Sequence, residues 1–406
     1  MKSPMVRARR LRRALTWGGL LLCLVLLYLE SPLLTSGKLL QVDDYVEYWA
    51  AGRLNLSGAN PYLPDALAPL ENQAGRFFQV PVMMWNPPFT LVIAMPLAAL
   101  PYPVSRLVWL ILNVALLALG AEWTWRVYGG PRRYRWLAWL LCFVFFPSLN
   151  ALGTGQIAIL IFVGAAGFLY YQHEGKPWQA GMLAALTAVK PHLLYLFWIA
   201  LLLWSCRRRQ WTELVAATGV MLAGTAVAMA FNPAVVGQYV QGALHDAPIW
   251  WHTPTLGGAL RGLFGPEKFW LQFAPMLLGT GWLLARWRGS RGNWCWPDEM
   301  PLLLVVSVIT AAYGWTFDQV VLLVMILSSV HLLSESSARI PAIALMVVGI
   351  AVNFVALGLR GAFADAGFWW LAPFWLVWYM AVRKWGSVTI PMPVAESGPE
   401  LPRSDP

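Results

Sequence analysis

The sequence predicts an all-α polytopic membrane protein with about twelve helical crossings, and three observations carry that prediction. Of its 406 residues, 59% are hydrophobic and 12% charged, with a mean hydropathy of +0.57. A soluble domain carries about a quarter charged residues, and a disordered chain lacks the apolar content needed for a core. Apolar runs such as Leu20–Leu29 and Leu302–Ala312 recur along the chain. The net charge of +10 comes largely from arginines clustered between those runs, which signals orientation rather than a nucleic-acid surface.

Apolar segments fall at 14–34, 88–125, 136–149, 156–172, 179–204, 211–231, 268–287, 300–316, 319–334, 340–359 and 368–382. The first follows a basic start, Arg7–Arg13, and leads into Glu30-Ser31-Pro32 rather than a small-residue cleavage site, so it is expected to remain as an uncleaved span. Segment 88–125, counted as one crossing, is interrupted by Pro96, Pro101 and Pro103, and 179–204 by Lys190-Pro191. Broken helices at membrane depth persist where they are buried in protein or line a wet cavity, so a cavity is expected. Basic clusters at 126–135, 176, 207–209, 286–291, 339 and 383–384 are placed in the cytoplasm. Alternation then closes if 179–204 runs out and back as a hairpin, with both termini cytoplasmic. The expected organisation is a basic tail 1–13, one polytopic domain 14–384 with a first outward loop at 35–87, and a disordered tail 385–406.

The outward segments on that topology are 35–87, 153–156, the tip at Lys190, 232–267, 313–319 and 360–368. In the first, Asp43-Asp44-Tyr45-Val46-Glu47-Tyr48-Trp49 predicts a short amphipathic helix at the membrane surface. Either aspartate suits an N-cap, and either also suits a general base at the mouth of a cavity. Trp85-Asn86-Pro87-Pro88-Phe89 marks re-entry into the membrane, and Gly153-Thr154-Gly155-Gln156 is a small polar turn that lets another group approach closely. Lys190-Pro191-His192 places a cation inside an apolar stretch. It reads either as a snorkelling lysine or as a point charge for an anionic group such as a lipid phosphate. Arg261, in Leu256–Gly265, is a second candidate for that phosphate, with an interfacial helix face as its plain alternative. His245 and His252 lie in an outward loop beside Trp250-Trp251, and Asp318 sits between two spans as a cap or a sugar-hydroxyl ligand. Asn55-Leu56-Ser57 fits the short glycosylation pattern, which commonly arises by chance. The four cysteines are far apart, with no histidines at metal-ligand spacing, so no metal site is expected from them.

Asp44-Tyr45-x-x-Tyr48-x-Ala50-Ala51, Gly58-Ala59-Asn60-Pro61-Tyr62, Trp85-Asn86-Pro87-Pro88-Phe89, Gly155-Gln156, Lys190-Pro191, Leu256–Gly265 and Trp315–Leu322 follow one another in order. Together they resemble glycosyltransferase family 87 over roughly residues 40–335. The resemblance implies a GT-C-like bundle with a large first extracytoplasmic loop carrying short juxtamembrane helices. It implies inverting transfer of a sugar, often mannose, from a polyprenyl-phosphate donor to a lipid or glycan acceptor, at the extracytoplasmic face of a cell membrane taken to be the bacterial inner membrane. Asp44 fits the family's base better than Asp43, because the tyrosine and alanine spacing runs from it. The remaining expectations are Lys190, Arg261 and His192 at the donor phosphate, and Tyr48, Asn86, Gln156, His252 and Asp318 at the substrates. The expected partners are that donor, the acceptor and membrane lipids, without nucleic acid. No cofactor is expected, with a divalent metal left open. The competing readings are a secondary transporter, which would show two related halves, and a noncatalytic subunit of an envelope-assembly complex.

Overall fold

The computed structural model describes residues 42–77, 80–245, 251–290 and 292–386. The expected first span 14–34, both basic and Pro-rich tails, and His245's neighbour Trp250 lie outside them, apart from Trp385 and Gly386. The described residues form seventeen α-helices, six short 3-10 turns and no strand. In order they are α1 (Tyr45–Leu56), α2 (Pro64–Ala74), α3 (Leu91–Ala98), α4 (Tyr102–Val127), α5 (Arg135–Val144), α6 (Phe146–Thr154), α7 (Ala158–His173), α8 (Pro177–Ala184) and α9 (Tyr195–Arg208). Then follow α10 (Thr212–Phe231), α11 (Val235–His245), α12 (Leu256–Phe264), α13 (Ala274–Gly289), α14 (Trp296–Thr310), α15 (Leu323–Glu335), α16 (Arg339–Gly358) and α17 (Leu371–Trp385).

Helix α7 is the pillar of the bundle. Every residue from Ala158 to Leu169 is buried, as expected of a helix that is apolar all round and enclosed by protein. It packs on α4, α8 and the Thr316–Leu322 turn. Lipid tails are as apolar as leucine, so such contacts hold by close packing rather than by the hydrophobic effect. The α8–α10 pair shows how close: a Cβ added to Gly181 would stand 2.3 Å from the Glu213 carbonyl oxygen. The outer faces of α4, α10, α13 and α16 carry exposed Ile111, Leu222, Leu277 and Val347, the apolar exterior of a membrane protein.

Among the described residues, α4, α10, α16 and the Thr316–Glu335 stretch are each long and apolar enough to cross a membrane. Helices α5 and α6, bent by 62°, make a fifth if they form one span. The bend has a chemical cause. Pro147 lies in the first turn of α6, and the backbone groups freed there are taken by Asn353 of α16. Its side-chain oxygen accepts the Phe146 N–H at 2.8 Å and its amide donates to the Val144 carbonyl at 2.9 Å.

Segment 88–125 is interrupted as expected: a turn at 99–101, ended by Pro101, separates α3, which holds Pro96, from the 26-residue α4, which has Pro103 in its first turn. One expectation is corrected. Helix α1 is not amphipathic. Ten of its twelve residues are buried and Arg53 is exposed, because α2, α3 and α4 enclose it. Segment 179–204 is interrupted at Lys190 as expected, and its two arms pack mainly on different partners, α8 on α7 and α10, α9 on α13 and α14. The chain is remade between them as a 3-10 turn (Ala185–Val189) and the loop around Lys190.

The segments expected on the outer side nevertheless meet one another. Asn86 bonds the Val189 carbonyl at 2.7 Å, Asn232 the Ala59 carbonyl at 2.9 Å, and Trp251 lies edge-on to Trp315. The segments expected on the other side also meet: Tyr128 bonds the Pro297 carbonyl at 2.8 Å, Arg207 lies over Trp287, and Ser336 bonds the Trp385 carbonyl at 2.6 Å.

Candidate active site

The two adjacent aspartates at the start of α1 point to different tasks. Asp43 accepts the Tyr45 N–H at 3.0 Å and pairs with Arg106 at 2.8 Å. Arg106 in turn donates to the Leu152 and Gly153 carbonyls at the C-terminal end of α6, where orphan carbonyls and the helix dipole favour a cation. Asp44, at the N-cap position, makes no capping bond. Its carboxylate instead accepts the Gln156 amide at 3.0 Å. Asp43 is therefore committed to Arg106 and its own turn, whereas Asp44 is held by Gln156.

Gln156 is the hub. Its side-chain oxygen accepts from the Tyr48 hydroxyl at 2.8 Å and from the Lys190 ammonium at 3.3 Å. The turn that delivers it needs Gly155, which has φ +68°. A Cβ there would stand 2.7 Å from the Tyr45 Cβ, and the Gly155 carbonyl is held by the Trp109 indole at 2.7 Å.

Lys190 does not snorkel. It reaches inward to Asp318 at 2.7 Å, with side-chain exposures of 13% and 1%, and sits 4.7 Å from the Phe317 ring centre. Asp318 also accepts the Trp315 N–H at 2.9 Å. An ammonium has three donors; Asp318 and Gln156 take two. Asn86 serves this loop from behind through the Val189 carbonyl, and its own carbonyl accepts from Tyr62 at 3.1 Å.

A wall of rings flanks the cation. Trp251 lies edge-on to Trp85, Tyr313 and Trp315, and His192 edge-on to Tyr313. Arg261 does not join Lys190. It is fully buried, donating to the Trp251 carbonyl at 3.1 Å, to Gln272 at 2.5 Å and to the Pro266 carbonyl at 2.9 Å, with Phe269 against it. It braces the loop that carries Trp251. His252 is exposed beside α12 and Trp369, and His245 bonds the Gln241 carbonyl of its own helix. Asn55 is buried, with its amide on the Ala228 carbonyl, which leaves no acceptor site for a glycan.

Four residues escaped the sequence reading: Glu47, Arg106, Thr316 and Asp365. Arg106 had a signal, a charge within an apolar span; Asp365 had none. Asp365 accepts the Thr316 N–H at 3.0 Å and its hydroxyl at 2.5 Å.

Burial governs the acids outside the spans. It pushes Asp43 up to about 7, against the downward pull of Arg106 and the Tyr45 N–H. It raises Asp44 despite the Gln156 amide and Lys190. It raises Glu47 well above the usual carboxylate range, with the Asp44 charge adding to it. Asp365 is raised by burial against its bonds to Thr316. A carboxyl raised toward neutrality is suited to take a proton. Among the described residues, no group of three or more His, Cys, Asp or Glu side chains is placed to hold a metal ion.

Residues 85–334 match the family model of glycosyltransferase family 87. The match takes in Asn86, Gln156, Lys190 and Asp318, whereas Asp43, Asp44 and Tyr48 precede it. No curated protein and no solved structure matches the chain.

Proposed function

The chain belongs to glycosyltransferase family 87 and is a membrane glycosyltransferase, and from that premise we propose that it transfers a sugar, mannose in the first instance, from polyprenyl phosphate to a lipid-linked or glycan acceptor. Transfer takes place at the extracytoplasmic face with inversion. The shorter helices complete a multi-pass bundle of about twelve crossings, in a bacterial inner membrane with both termini in the cytoplasm.

In this reading the Asp44 carboxylate removes the proton of the acceptor hydroxyl as that oxygen attacks the anomeric carbon. The bond from that carbon to the phosphate oxygen breaks, and the lipid phosphate departs with the bonding pair. Its charge is met by the third donor of Lys190, in a site where fixed cations are worth more than in water. Tyr48 and Gln156 hold the base. The ring wall around Trp251 offers apolar faces to a sugar or to the first units of the isoprenoid.

The observation that carries the proposal is the single amide of Gln156, which bonds both Asp44 and Lys190 and so ties together the residues read as base and cation. The test is transfer from radiolabelled polyprenyl-phosphate mannose, in membranes supplied with native lipid extract. The wild type is compared with Asp44→Asn and Asp43→Asn. Loss of about 10²–10⁴ in rate is expected for Asp44→Asn, with a smaller loss for Asp43→Asn. Full transfer by Asp44→Asn would sink Asp44 as the base.

A further inference from the structure

Asp365 lies beyond the family-matched residues, in the short connection between α16 and α17. It nevertheless grips the centre of the site. Its two oxygens accept the N–H and the hydroxyl of Thr316, and that hydroxyl also accepts the Asn150 amide of α6 at 2.5 Å. A hydroxyl can accept and donate at once, so Thr316 joins α6 to the connection while opening the 3-10 turn Thr316–Leu322. Asp318 stands two residues along that turn and holds Lys190. A 3-10 turn has poor internal hydrogen-bond geometry, and Thr316 is fully buried, so the first turn depends on these outside partners. The same connection touches the site twice more. Phe368 packs on Phe146 at 5.2 Å, and a Cβ on Gly153 would lie 3.1 Å from the Arg360 guanidinium.

We propose that Asp365 is a positioning residue, which acts through Thr316 to hold Asp318 and thereby fixes the Lys190 ammonium at the place where the phosphate departs. The inference rests on the reading of Lys190 as the phosphate's cation, while its structural half stands apart from any activity. Asp365→Asn replaces one acceptor oxygen by a donor and cannot satisfy both Thr316 groups. Thr316→Val removes the hydroxyl at nearly constant shape, and Thr316→Ser keeps it.

The test uses the full chain in detergent, with helical content and thermal transition recorded for every variant. Lys190 is labelled with acetic anhydride at fixed pH and read by peptide mass spectrometry. Transfer kinetics are read in parallel as kcat and donor KM. Labelling should rise about tenfold in Asp365→Asn and Thr316→Val, as in Asp318→Asn, because an ammonium released from its partners is no longer protected. It should stay at the wild-type rate in Thr316→Ser. In the same two variants kcat should fall by about tenfold to a hundredfold, and Asp365→Asn should add nothing on an Asp318→Asn background. Wild-type labelling of Lys190 in folded Asp365→Asn or Thr316→Val overturns the inference, as does additivity with Asp318→Asn. If labelling responds as expected while the wild type transfers no sugar, the reading of Lys190 fails and the role of Asp365 in holding it stands.

Discussion

Lys190 and Arg261 are both cations withdrawn from solvent, one largely and one fully, and their surroundings differ in what they leave over. Lys190 spends two of its three donors, on Asp318 and Gln156. Arg261 sits in a cage of its own loop, with its fork spent on the carbonyls of Trp251 and Pro266 and on Gln272. A basic residue can meet a substrate only with donors that the fold has not already used. Withdrawal from solvent is common to both, and the unspent donor is what makes Lys190, rather than Arg261, the cation proposed for the phosphate.

That comparison is broken most directly at Lys190. Lys190→Met should lower kcat about 10²–10³-fold. It also leaves Asp318 buried without its partner, a loss of about 3–5 kcal/mol in stability, so the thermal transition must be read beside the transfer assay. Lys190→Arg keeps the charge but changes the fork, and should recover only part of the rate. If Lys190→Met transfers sugar at the wild-type rate per folded molecule, the leftover-donor argument fails.

Arg261→Lys should act the other way. Losing the planar fork removes charge-assisted bonds worth about 1.5–3 kcal/mol each, so the thermal midpoint should fall while transfer per folded molecule changes little. A variant with an unchanged midpoint and no transfer would place Arg261 in the site after all.

The smallest effect expected belongs to Asp43, the structural twin of Asp44. Its carboxyl is raised to about 7 in the folded chain from an ordinary 3.8, so folding favours the protonated form. Its contribution to stability is complete below about pH 4 and is lost as pH rises through about 7. The wild type should therefore show a lower thermal midpoint at pH 8 than at pH 5, and Asp43→Asn should flatten that difference. An equal slope in both proteins would locate the titration elsewhere.

Much of this was readable in the chain. Membrane class and helical content follow from composition and apolar runs, because lipid leaves backbone groups no partner but one another. Gln156, Lys190 and Asp318 were visible as polar residues where apolar ones would be cheaper. The enclosure of α1 was not visible, since a 12-residue helix with tyrosines, a tryptophan and alanines reads alike at a membrane surface and within a bundle. Nor was the split between Asp43 and Asp44. Their neighbours in sequence are the same, and the difference lies in Arg106, 63 residues away, and Gln156, 112 residues away.

The sequence by itself determined the class of protein, the family and most of the polar residues that meet, because each depends on residue type and local order. Tertiary structure alone decided which aspartate is taken by Arg106 and which by Gln156, which cation keeps a free donor, and that Asp365 holds Thr316. Those are questions of where hydrogen-bonding capacity is spent, and it is spent across long separations that no local pattern records.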